Sequence, residues 1–415
     1  MTNFTTGAKR ATSELRRLFE PTPLQRNAFL SDRFDADIYL KREDLSPVRS
    51  YKIRGAFNAL NKRLVDSPNG QNFVCASAGN HAQGFAYACR HFGVSGEIFM
   101  PVTTPGQKVD KTKAFGGASV SVNLTGDFFD QTLASAQAHC AQTGAHFVSP
   151  FDDPDIIEGQ GSVAIELLDQ IEAPPDLVVL PVGGGGLSAG MLGVFRELAP
   201  DTRFHFVEPE GGASLTAALQ NGAPVALDYV DPFVDGAAVA RLGTNNFETL
   251  KTVALEDVSR APEGRICETM LEFLNVEGIV LEPAGALAID ALEGLRARIK
   301  GHRVVCVTSG GNFDFERLPE VKERAMLFAR LKKYFVLRLP QRPGALKDFL
   351  HLLGPDDDIA QFEYLKKSAR NFGAVLLGIE SSKPEAFDSL QERIAAEGFD
   401  CRDITEDRIL AEFLI

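Results

Sequence analysis

Lys52 stands in the motif Ser50-Tyr-Lys-Ile-Arg-Gly-Ala, just before a predicted helix rich in Ala, Leu and Asn. A lysine amine can form a Schiff base with an aldehyde cofactor when its surroundings keep it deprotonated. Most lysines, however, are solvated surface residues. The motif alone therefore leaves both interpretations open.

The run Gly183-Gly-Gly-Gly-Leu follows the apolar segment Leu177-Val-Val-Leu-Pro-Val. Consecutive glycines allow several backbone N–H groups to converge on an anion, and a helix after them adds its positive N-terminal end. This pattern predicts a phosphate-binding turn, and a flexible turn without a ligand is the alternative.

The motif Ser77-Ala-Gly-Asn-His also follows a predicted strand. Its backbone N–H groups could bind a carboxylate, and the amide of Asn80 could donate to a ring hydroxyl. The alternative is ordinary turn chemistry, with His81 as a capping residue.

The motif Ser309-Gly-Gly-Asn follows the run Val304-Val-Cys-Val-Thr. A neutral serine that faces a pyridine nitrogen would leave that nitrogen unprotonated, whereas a carboxylate would protonate it. Taken alone, a serine in this position is more often a helix N-cap.

These motifs must be positioned by the elements around them. Short runs rich in β-forming residues alternate with segments of helical apolar spacing, such as 127–143 and 188–198, which predicts an α/β fold with parallel sheets. Both glycine-containing turns would lie where a strand leads into a helix, which is where such folds bind ligands. The predicted strands contain residues 38–40, 72–75, 96–100, 118–122, 177–180, 204–207 and 304–307.

The pattern changes near Lys322, where a charged helix leads into the strand-like run Tyr334-Phe-Val-Leu-Arg-Leu. Further strands are predicted around Phe362 and at Ala374-Val-Leu-Leu-Gly-Ile. The order predicts a separate β-α-β-β-α-β module at the C-terminal end.

The composition excludes several classes of protein. The 415 residues include 56 acidic and 43 basic side chains, for a net charge of −13, so nucleic acids and anionic membranes are poor partners. No apolar run reaches the ~20 residues that span a bilayer. The six cysteines are scattered without paired spacing, which favours a reducing, cytoplasmic location.

Together with Glu282-Pro-Ala-Gly, the four motifs resemble the serine/threonine dehydratases of the tryptophan-synthase-β-like, fold-type II pyridoxal-phosphate family. The resemblance covers about residues 10–320, in the family's order. It implies two parallel-sheet α/β lobes, a large one from residues 1–66 and 148–322 and a small one from residues 67–147.

The resemblance also implies roles for individual residues. Lys52 would be the catalytic Schiff-base lysine, Asn80 would contact the phenolic oxygen of pyridoxal 5'-phosphate, and Ser309 would be a second catalytic residue facing the pyridine nitrogen. Glu282 matches a family carboxylate near the ring, whose role stays open. The phosphate would be bound by Gly183, Gly184, Gly185, Gly186 and Leu187, and the substrate carboxylate by Ser77, Gly79, Asn80 and His81.

The C-terminal residues 323–415 resemble the ACT-like, α+β regulatory domain of biosynthetic threonine dehydratases. Only one such unit fits here, whereas longer family members carry two. The resemblance implies isoleucine, and valine as a second candidate, as effectors bound through Leu346 and Tyr364, for which core packing is the alternative. It also implies a homotetramer.

Some relatives bind a divalent ion through a glutamate and an aspartate after a strand that ends in Val-Glu-Pro. Here Val207-Glu-Pro-Glu-Gly offers Glu208 without a matching aspartate, so we expect no magnesium, while a monovalent cation such as K⁺ stays open.

The activity that the resemblance implies is the dehydration and deamination of L-threonine to 2-oxobutanoate and ammonia, the first committed step of isoleucine biosynthesis. Two alternatives remain. One is a serine-preferring dehydratase or racemase of the same family, and the other is a catalytically inactive protein that senses amino acids.

Overall fold

A computed structural model describes residues 4–67, 72–365 and 371–407. The chain divides into two compact units, Met1–Phe315 and Glu316–Ile415. The outer ends of the predicted domains, residues 1 and 415, lie outside the described residues, and the predicted limits at 66, 147 and 322 stay predictions.

The described part of the first unit alternates strands with helices. Its strands are β1 (Leu24–Arg26), β2 (Asp37–Arg42), β3 (Asn72–Ala76), β4 (Ser95–Met100), β5 (Val120–Leu124), β6 (His146–Phe147), β7 (Leu177–Pro181), β8 (Arg203–Pro209), β9 (Val258–Ala261) and β10 (Arg303–Thr308). Its helices are α1 (Phe4–Leu15), α2 (Ala28–Phe34), α3 (Lys52–Asp66), α4 (Asn80–Phe92), α5 (Gly106–Gly116), α6 (Phe129–Thr143), α7 (Pro154–Gln170), α8 (Gly186–Leu198), α9 (Ser214–Asn221), α10 (Thr244–Leu250), α11 (Glu263–Glu272) and α12 (Pro283–Ile299).

The larger sheet of this unit has the strand order β1-β2-β10-β7-β8-β9. Its strands are parallel except for β1, which pairs antiparallel with β2. Every residue of β7 is buried, as expected for a central strand that helices cover on both faces. Because β7 and β10 are parallel, their carboxyl ends lie at the same edge of the sheet.

The smaller sheet has the strand order β5-β4-β3-β6 and is parallel throughout. It lies entirely between Asn72 and Phe147 in sequence. Strand β5 begins at Val120, two residues later than the predicted run, because Gly117–Ser119 form a 3-10 turn that starts at φ +56°. The Ser77–His81 motif follows β3 and leads into α4.

Each sheet has its own core. The core of the larger sheet contains Leu180, Leu187, Phe195, Phe206 and Val305, and that of the smaller sheet contains Phe57, Phe73, Phe85, Ile98 and Ile156. Helices α3 and α7 are in contact with each other, and residues from both of them belong to the smaller sheet's core.

The second unit is an α+β module. Its strands are β11 (Lys332–Pro340), β12 (Asp357–Leu365), β13 (Phe372–Ser381) and β14 (Asp400–Asp403), and its helices are α13 (Leu318–Phe328), α14 (Ala345–Leu350) and α15 (Ala386–Ala396). The sheet is antiparallel with the order β12-β13-β11-β14, and its core includes Phe335, Phe349 and Phe387. From β11 onward the elements follow the predicted β-α-β-β-α-β order.

The predicted fold class is confirmed, with parallel α/β sheets followed by an antiparallel α+β module. Strands β1, β6 and β9 were not predicted from the sequence. Among the described residues, no helix has both the length and the apolar composition needed to cross a membrane.

Candidate active site

Lys52 is the first residue of α3, and its Nζ donates a hydrogen bond to the carbonyl oxygen of Pro150 at 2.8 Å. The amine also lies 5.4 Å from the ring centre of Tyr51 and 5.9 Å from that of Phe151. Although part of the side chain reaches the surface, burial of the amine lowers its pKa to about 8, and the charge of Glu282 opposes this only in part. The neutral, nucleophilic form is therefore far more populated than in an ordinary lysine.

The Ser309 turn lies beside the residues that precede Lys52. The backbone N–H of Tyr51 donates to the carbonyl of Ser309 at 3.1 Å, and that of Gly311 donates to Arg49 at 2.9 Å. The buried Ser309 hydroxyl donates to the carbonyl of Ala284 at 3.2 Å. No helix begins at Ser309, so the N-cap alternative is wrong.

The glycine turn joins β7 to α8. Gly185 adopts φ +89°, a conformation that favours glycine, and a Cβ on Gly184 would overlap the ring of Phe151. The carbonyl of Gly184 accepts from Asn246 Nδ2 at 2.6 Å and from the N–H of Gly243 at 3.1 Å. Asn246 holds this carbonyl in place. The backbone N–H groups of the turn and of the N-terminus of α8 then form a site that suits a phosphate.

Asn80 is the first residue of α4 and is held from two sides. Its Nδ2 donates to Glu282 Oε1 at 2.6 Å, and its Oδ1 accepts from Asn312 Nδ2 at 2.7 Å. The second hydrogen of Nδ2 stays available for an oxygen acceptor. The amide of Asn80 is thus oriented to donate, as its predicted contact with a ring oxygen requires.

Glu282 is buried immediately before α12. Burial raises its pKa to about 7, the charge of Asp235 adds to this, and the hydrogen bond from Asn80 opposes it. A side chain on Gly310 would overlap the carboxyl group, so this glycine is needed for the packing. Glu282, whose role the sequence left open, is therefore the group that fixes the donor side of Asn80.

The residues predicted around the substrate carboxylate lie together at the start of α4. The Gly79 N–H donates to Ser77 Oγ at 3.2 Å. His81 is buried, and burial together with the charge of Lys52 lowers its pKa to about 3, so its neutral ring donates from Nε2 to the carbonyl of Val148 at 3.1 Å. His81 could therefore contribute to a carboxylate site through its backbone N–H in the first turn of α4.

Several residues of the site were missed. Pro150 and Phe151 lie in an irregular segment before α7, and Asn246 lies on α10. Lys111 on α5 reaches Asn312 with a hydrogen bond. None of these residues stands in a glycine-containing motif, and their contacts depend on chain crossings that periodicity does not reveal.

Glu208 does not project as a free ligand. Its carboxylate accepts from the backbone N–H groups of Leu215 and Thr216 at 2.5 and 2.9 Å, and from the Thr216 hydroxyl at 2.7 Å, which places it at the N-terminus of α9. Within the described ranges, no cluster of three or more His, Cys, Asp or Glu side chains is arranged to hold a metal ion.

The two predicted effector residues lie in the second unit. Leu346 on α14 and Tyr364 on β12 are 40% and 38% exposed, so neither belongs to the core of this unit. The core-packing alternative is therefore wrong for both, and their role as effector contacts stays a prediction.

The groups of this site fit the parts of pyridoxal phosphate one by one. The Lys52 amine, with its lowered pKa, suits the aldehyde, and the glycine turn suits the phosphate. The amide of Asn80 suits the phenolic oxygen, and the neutral Ser309 suits the ring nitrogen. Two parallel α/β layers carry these groups. Fold and site together define a fold-type II pyridoxal-phosphate enzyme.

Comparison with known proteins agrees. Residues 15–310 match the family of pyridoxal-phosphate dependent enzymes, and residues 323–414 match the C-terminal regulatory domain of threonine dehydratase. The chain is 46% identical to the biosynthetic L-threonine dehydratase IlvA of Bacillus subtilis over 395 residues, which covers 95% of this chain and 93% of that one. It is 44% identical to the same enzyme of Staphylococcus aureus, with coverages of 97% and 96%.

Among solved structures, the processed form of threonine deaminase isoform 2 from Solanum lycopersicum matches with a TM-score of 0.71 and 34% identity, over 78% of this chain and 94% of that one. The chain therefore belongs to the pyridoxal-phosphate dependent enzymes and, within them, to the biosynthetic threonine dehydratases with a C-terminal regulatory domain. The predicted family, fold class and cofactor are confirmed.

Proposed function

We propose that this chain converts L-threonine to 2-oxobutanoate and ammonia, the first committed step of isoleucine biosynthesis. The observation that carries the proposal is the buried Lys52 amine, hydrogen-bonded to a neutral carbonyl. The identity to biosynthetic threonine dehydratases over almost the whole chain selects the substrate.

In this proposal, Lys52 holds pyridoxal phosphate covalently, the turn from Gly183 to Leu187 holds its phosphate, and Asn80 and Ser309 contact its ring. When bound, the cofactor stabilises negative charge at the substrate Cα, which makes the α-proton acidic enough to remove. When Lys52 does not hold the cofactor, its amine would be free to accept a proton.

The free Lys52 amine then removes the Cα proton. Its low pKa allows it to be neutral, and so able to accept a proton, near pH 8. Because Ser309 is neutral, it does not force a proton onto the ring nitrogen, and this favours elimination of the β-hydroxyl over transamination.

The substrate carboxylate lies, in this proposal, at the turn between β3 and α4. Backbone N–H groups at a helix N-terminus favour an anion, and Ser77, Gly79, Asn80 and His81 lie together there. Binding the carboxylate at this point would hold the Cα proton towards Lys52.

The test is keto-acid release from L-threonine and L-serine, measured separately on the full chain with pyridoxal phosphate, and with Lys52→Ala as the inactive control. Faster release from threonine supports the proposal. Preferential release from serine, or formation of D-serine, would favour the racemase or serine-dehydratase alternative. Amino-acid binding without any turnover would favour the sensing alternative.

We also propose that isoleucine binds the second unit and lowers activity, with valine as a second candidate effector. The match of residues 323–414 to the regulatory domain supports this, as does the exposure of Leu346 and Tyr364. Titration of the full chain with isoleucine should inhibit wild type and inhibit Tyr364→Ala less. Phe372→Ala is the matched control, because Phe372 is also an exposed aromatic residue of this sheet. Equal inhibition of all three proteins would exclude Tyr364 as an effector contact.

A cytoplasmic location and a homotetramer complete the proposal. The six free cysteines fit a reducing compartment. The tetramer rests on the family resemblance, and the molar mass of the full chain by light scattering would test it.

A further inference from the structure

Four polar side chains form a continuous chain of hydrogen bonds beside the cofactor site. Lys111 Nζ donates to Asn312 Oδ1, Asn312 Nδ2 donates to Asn80 Oδ1 at 2.7 Å, and Asn80 Nδ2 donates to Glu282 Oε1 at 2.6 Å. Each donor points the same way along the chain, from the cation to the carboxyl group. Such an arrangement strengthens its members through mutual polarisation.

This chain of hydrogen bonds determines the orientation of the side-chain amides of Asn312 and Asn80. Asn312 Nδ2 uses its hydrogens on Asn80 and on the carbonyl oxygen of Val48, at 2.8 Å. Rotating the Asn312 amide by 180° would set its oxygen against two other oxygens and its NH₂ group against the ammonium of Lys111. Because Asn312 cannot rotate, Asn80 must accept at Oδ1 and keep Nδ2 as a donor.

The members of the chain alternate between the two sheets. Lys111 on α5 and Asn80 at the start of α4 lie on connections of the smaller sheet, whereas Asn312 follows β10 and Glu282 precedes α12 on the larger sheet. The hydrogen-bonded chain therefore passes three times between the two layers. A displacement of α5 would remove the group that holds the oxygen of Asn312.

A second polar contact joins the same helix to the part of the protein that contains the larger sheet. Lys108 lies one turn before Lys111 on α5, and it pairs with Asp235 at 2.6 Å. This pair is more exposed than the Lys111 contact and is worth little by itself. Because Lys108 and Lys111 are three residues apart, they lie on one face of α5, and both make polar contacts with the part of the protein that contains the larger sheet.

We propose that Lys111 and Asn312 are positioning residues that keep the Asn80 amide turned to donate to the cofactor's ring oxygen, and that they do so only while α5 lies against the 310–312 turn. This inference rests on the proposed function, because the ring oxygen belongs to the cofactor assigned there. Neither residue is required to touch the cofactor.

The decisive variant is Lys111→Met, which keeps the length of the side chain and removes the donor. Its matched control is Lys113→Met on the same helix, where the lysine is exposed. Lys111→Arg restores a donor and should recover most of the wild-type behaviour. Asn80→Ala supplies the reference for complete loss of the ring-oxygen contact.

The main readout is the pH dependence of the visible and near-ultraviolet bands of bound pyridoxal phosphate, together with the dissociation constant of the cofactor by fluorescence titration. Lys111→Met should shift the pH midpoint of the bands in the same direction as Asn80→Ala does. It should also weaken cofactor binding about fivefold to tenfold, which is the effect of one lost hydrogen bond. Asn312→Ala should do the same, and adding Lys111→Met to it should have little further effect, because the acceptor of Lys111 is already absent.

A Lys111→Met protein with the wild-type band midpoint and cofactor affinity would overturn the inference. So would an equal change in Lys113→Met, because that result would indicate a general effect of charge on α5. Failure of the proposed function would look different, since the wild-type chain would then bind no cofactor or release no keto acid.

Discussion

The ammonium nitrogen of Lys52 and the carbonyl oxygen of Pro150 are 2.8 Å apart, so the buried amine has a neutral acceptor as its hydrogen-bond partner. A carbonyl gives a cation less compensation for lost water than a carboxylate does. Lys332 shows the contrast, because its contact with Glu323 at 2.6 Å raises its pKa, whereas the pKa of Lys52 falls. Burial therefore keeps the Lys52 amine able to act as a nucleophile, whereas at Lys332 the hydrogen bond to Glu323 outweighs burial and leaves a structural cation.

Replacing Lys52 with alanine should abolish both the covalent attachment of the cofactor and turnover. The protein loses the amine that holds the aldehyde and the base that removes the Cα proton, and loss of the base alone costs about 10²- to 10⁴-fold. Absorption spectra of the dialysed protein and a keto-acid assay measure the two effects. Lys113→Ala should behave as wild type. A visible cofactor band in dialysed, active Lys52→Ala would contradict this assignment.

The rate at which the apoprotein binds pyridoxal phosphate should follow the pKa of Lys52. Only the neutral amine attacks an aldehyde, so the rate should rise about tenfold per pH unit below pH 8 and level off above it. Stopped-flow absorbance measures this profile, and the reaction of Nα-acetyl-lysine with the same aldehyde corrects for titration of the cofactor. A rate that still rises between pH 9 and pH 10 would indicate an ordinary lysine.

Gly184→Ala should weaken cofactor binding without unfolding the protein. The added methyl group would overlap the ring of Phe151, and overpacking of this kind costs about 1–3 kcal/mol. Because the phosphate requires the undistorted turn, this cost corresponds to roughly fivefold to 150-fold in affinity. Gly294→Ala on α12 is the control, because its methyl group meets nothing within 4 Å, and it should leave cofactor affinity unchanged. Fluorescence titration with pyridoxal phosphate distinguishes the two variants.

The sequence could predict the parts of the site that lie in short motifs at the ends of strands. Asn80, Ser309 and the Gly183 turn were found in this way, because buried strands such as β7 have a continuous apolar pattern and their ends are marked by glycine. Lys52 was found from its motif before a predicted helix. Strand β1 is only three residues long, and Leu24–Arg26 is partly exposed, so it had no such pattern.

The contacts that orient these residues could not be predicted. Asn80 and Glu282 are 202 positions apart, and Lys111 and Asn312 are 201 apart, so their meeting depends on how the two sheets lie against each other. The sequence marked Glu282 only through its family motif. Lys111 stands in a helix of weak amphipathicity with other lysines nearby, and nothing in its local pattern distinguishes it from Lys113.

Glu166→Gln should cost about 3–5 kcal/mol in the free energy of unfolding, which is the usual effect of removing one partner from a buried ion pair. Arg54 Nη2 donates to Glu166 at 2.7 Å and Arg54 Nε donates to Glu43 at 2.7 Å, while Lys41 Nζ lies 3.0 Å from Glu166. All four side chains are buried, and Arg16 also pairs with Glu166, so the substitution leaves three cations near a single carboxylate, Glu43. Urea denaturation measures the loss, and the exposed Glu172→Gln, which should stay within about 0.5 kcal/mol of wild type, is the control.

The stability difference between wild type and Glu166→Gln should also depend on pH, in a direction that the pKa of Glu166 determines. Burial alone would raise the pKa of Glu166, but the charges and hydrogen bonds of Arg54 and Lys41 lower it below its ordinary value of 4.5. A carboxyl group whose folded-state pKa is depressed stabilises the protein fully above its unfolded pKa and loses that contribution as the pH falls through the folded value. The stability difference between wild type and Glu166→Gln should therefore be constant from pH 8 to about pH 5 and shrink below it. A difference that grows as the pH falls below 5 would mean that Glu166 is protonated more easily in the folded protein than in the unfolded chain.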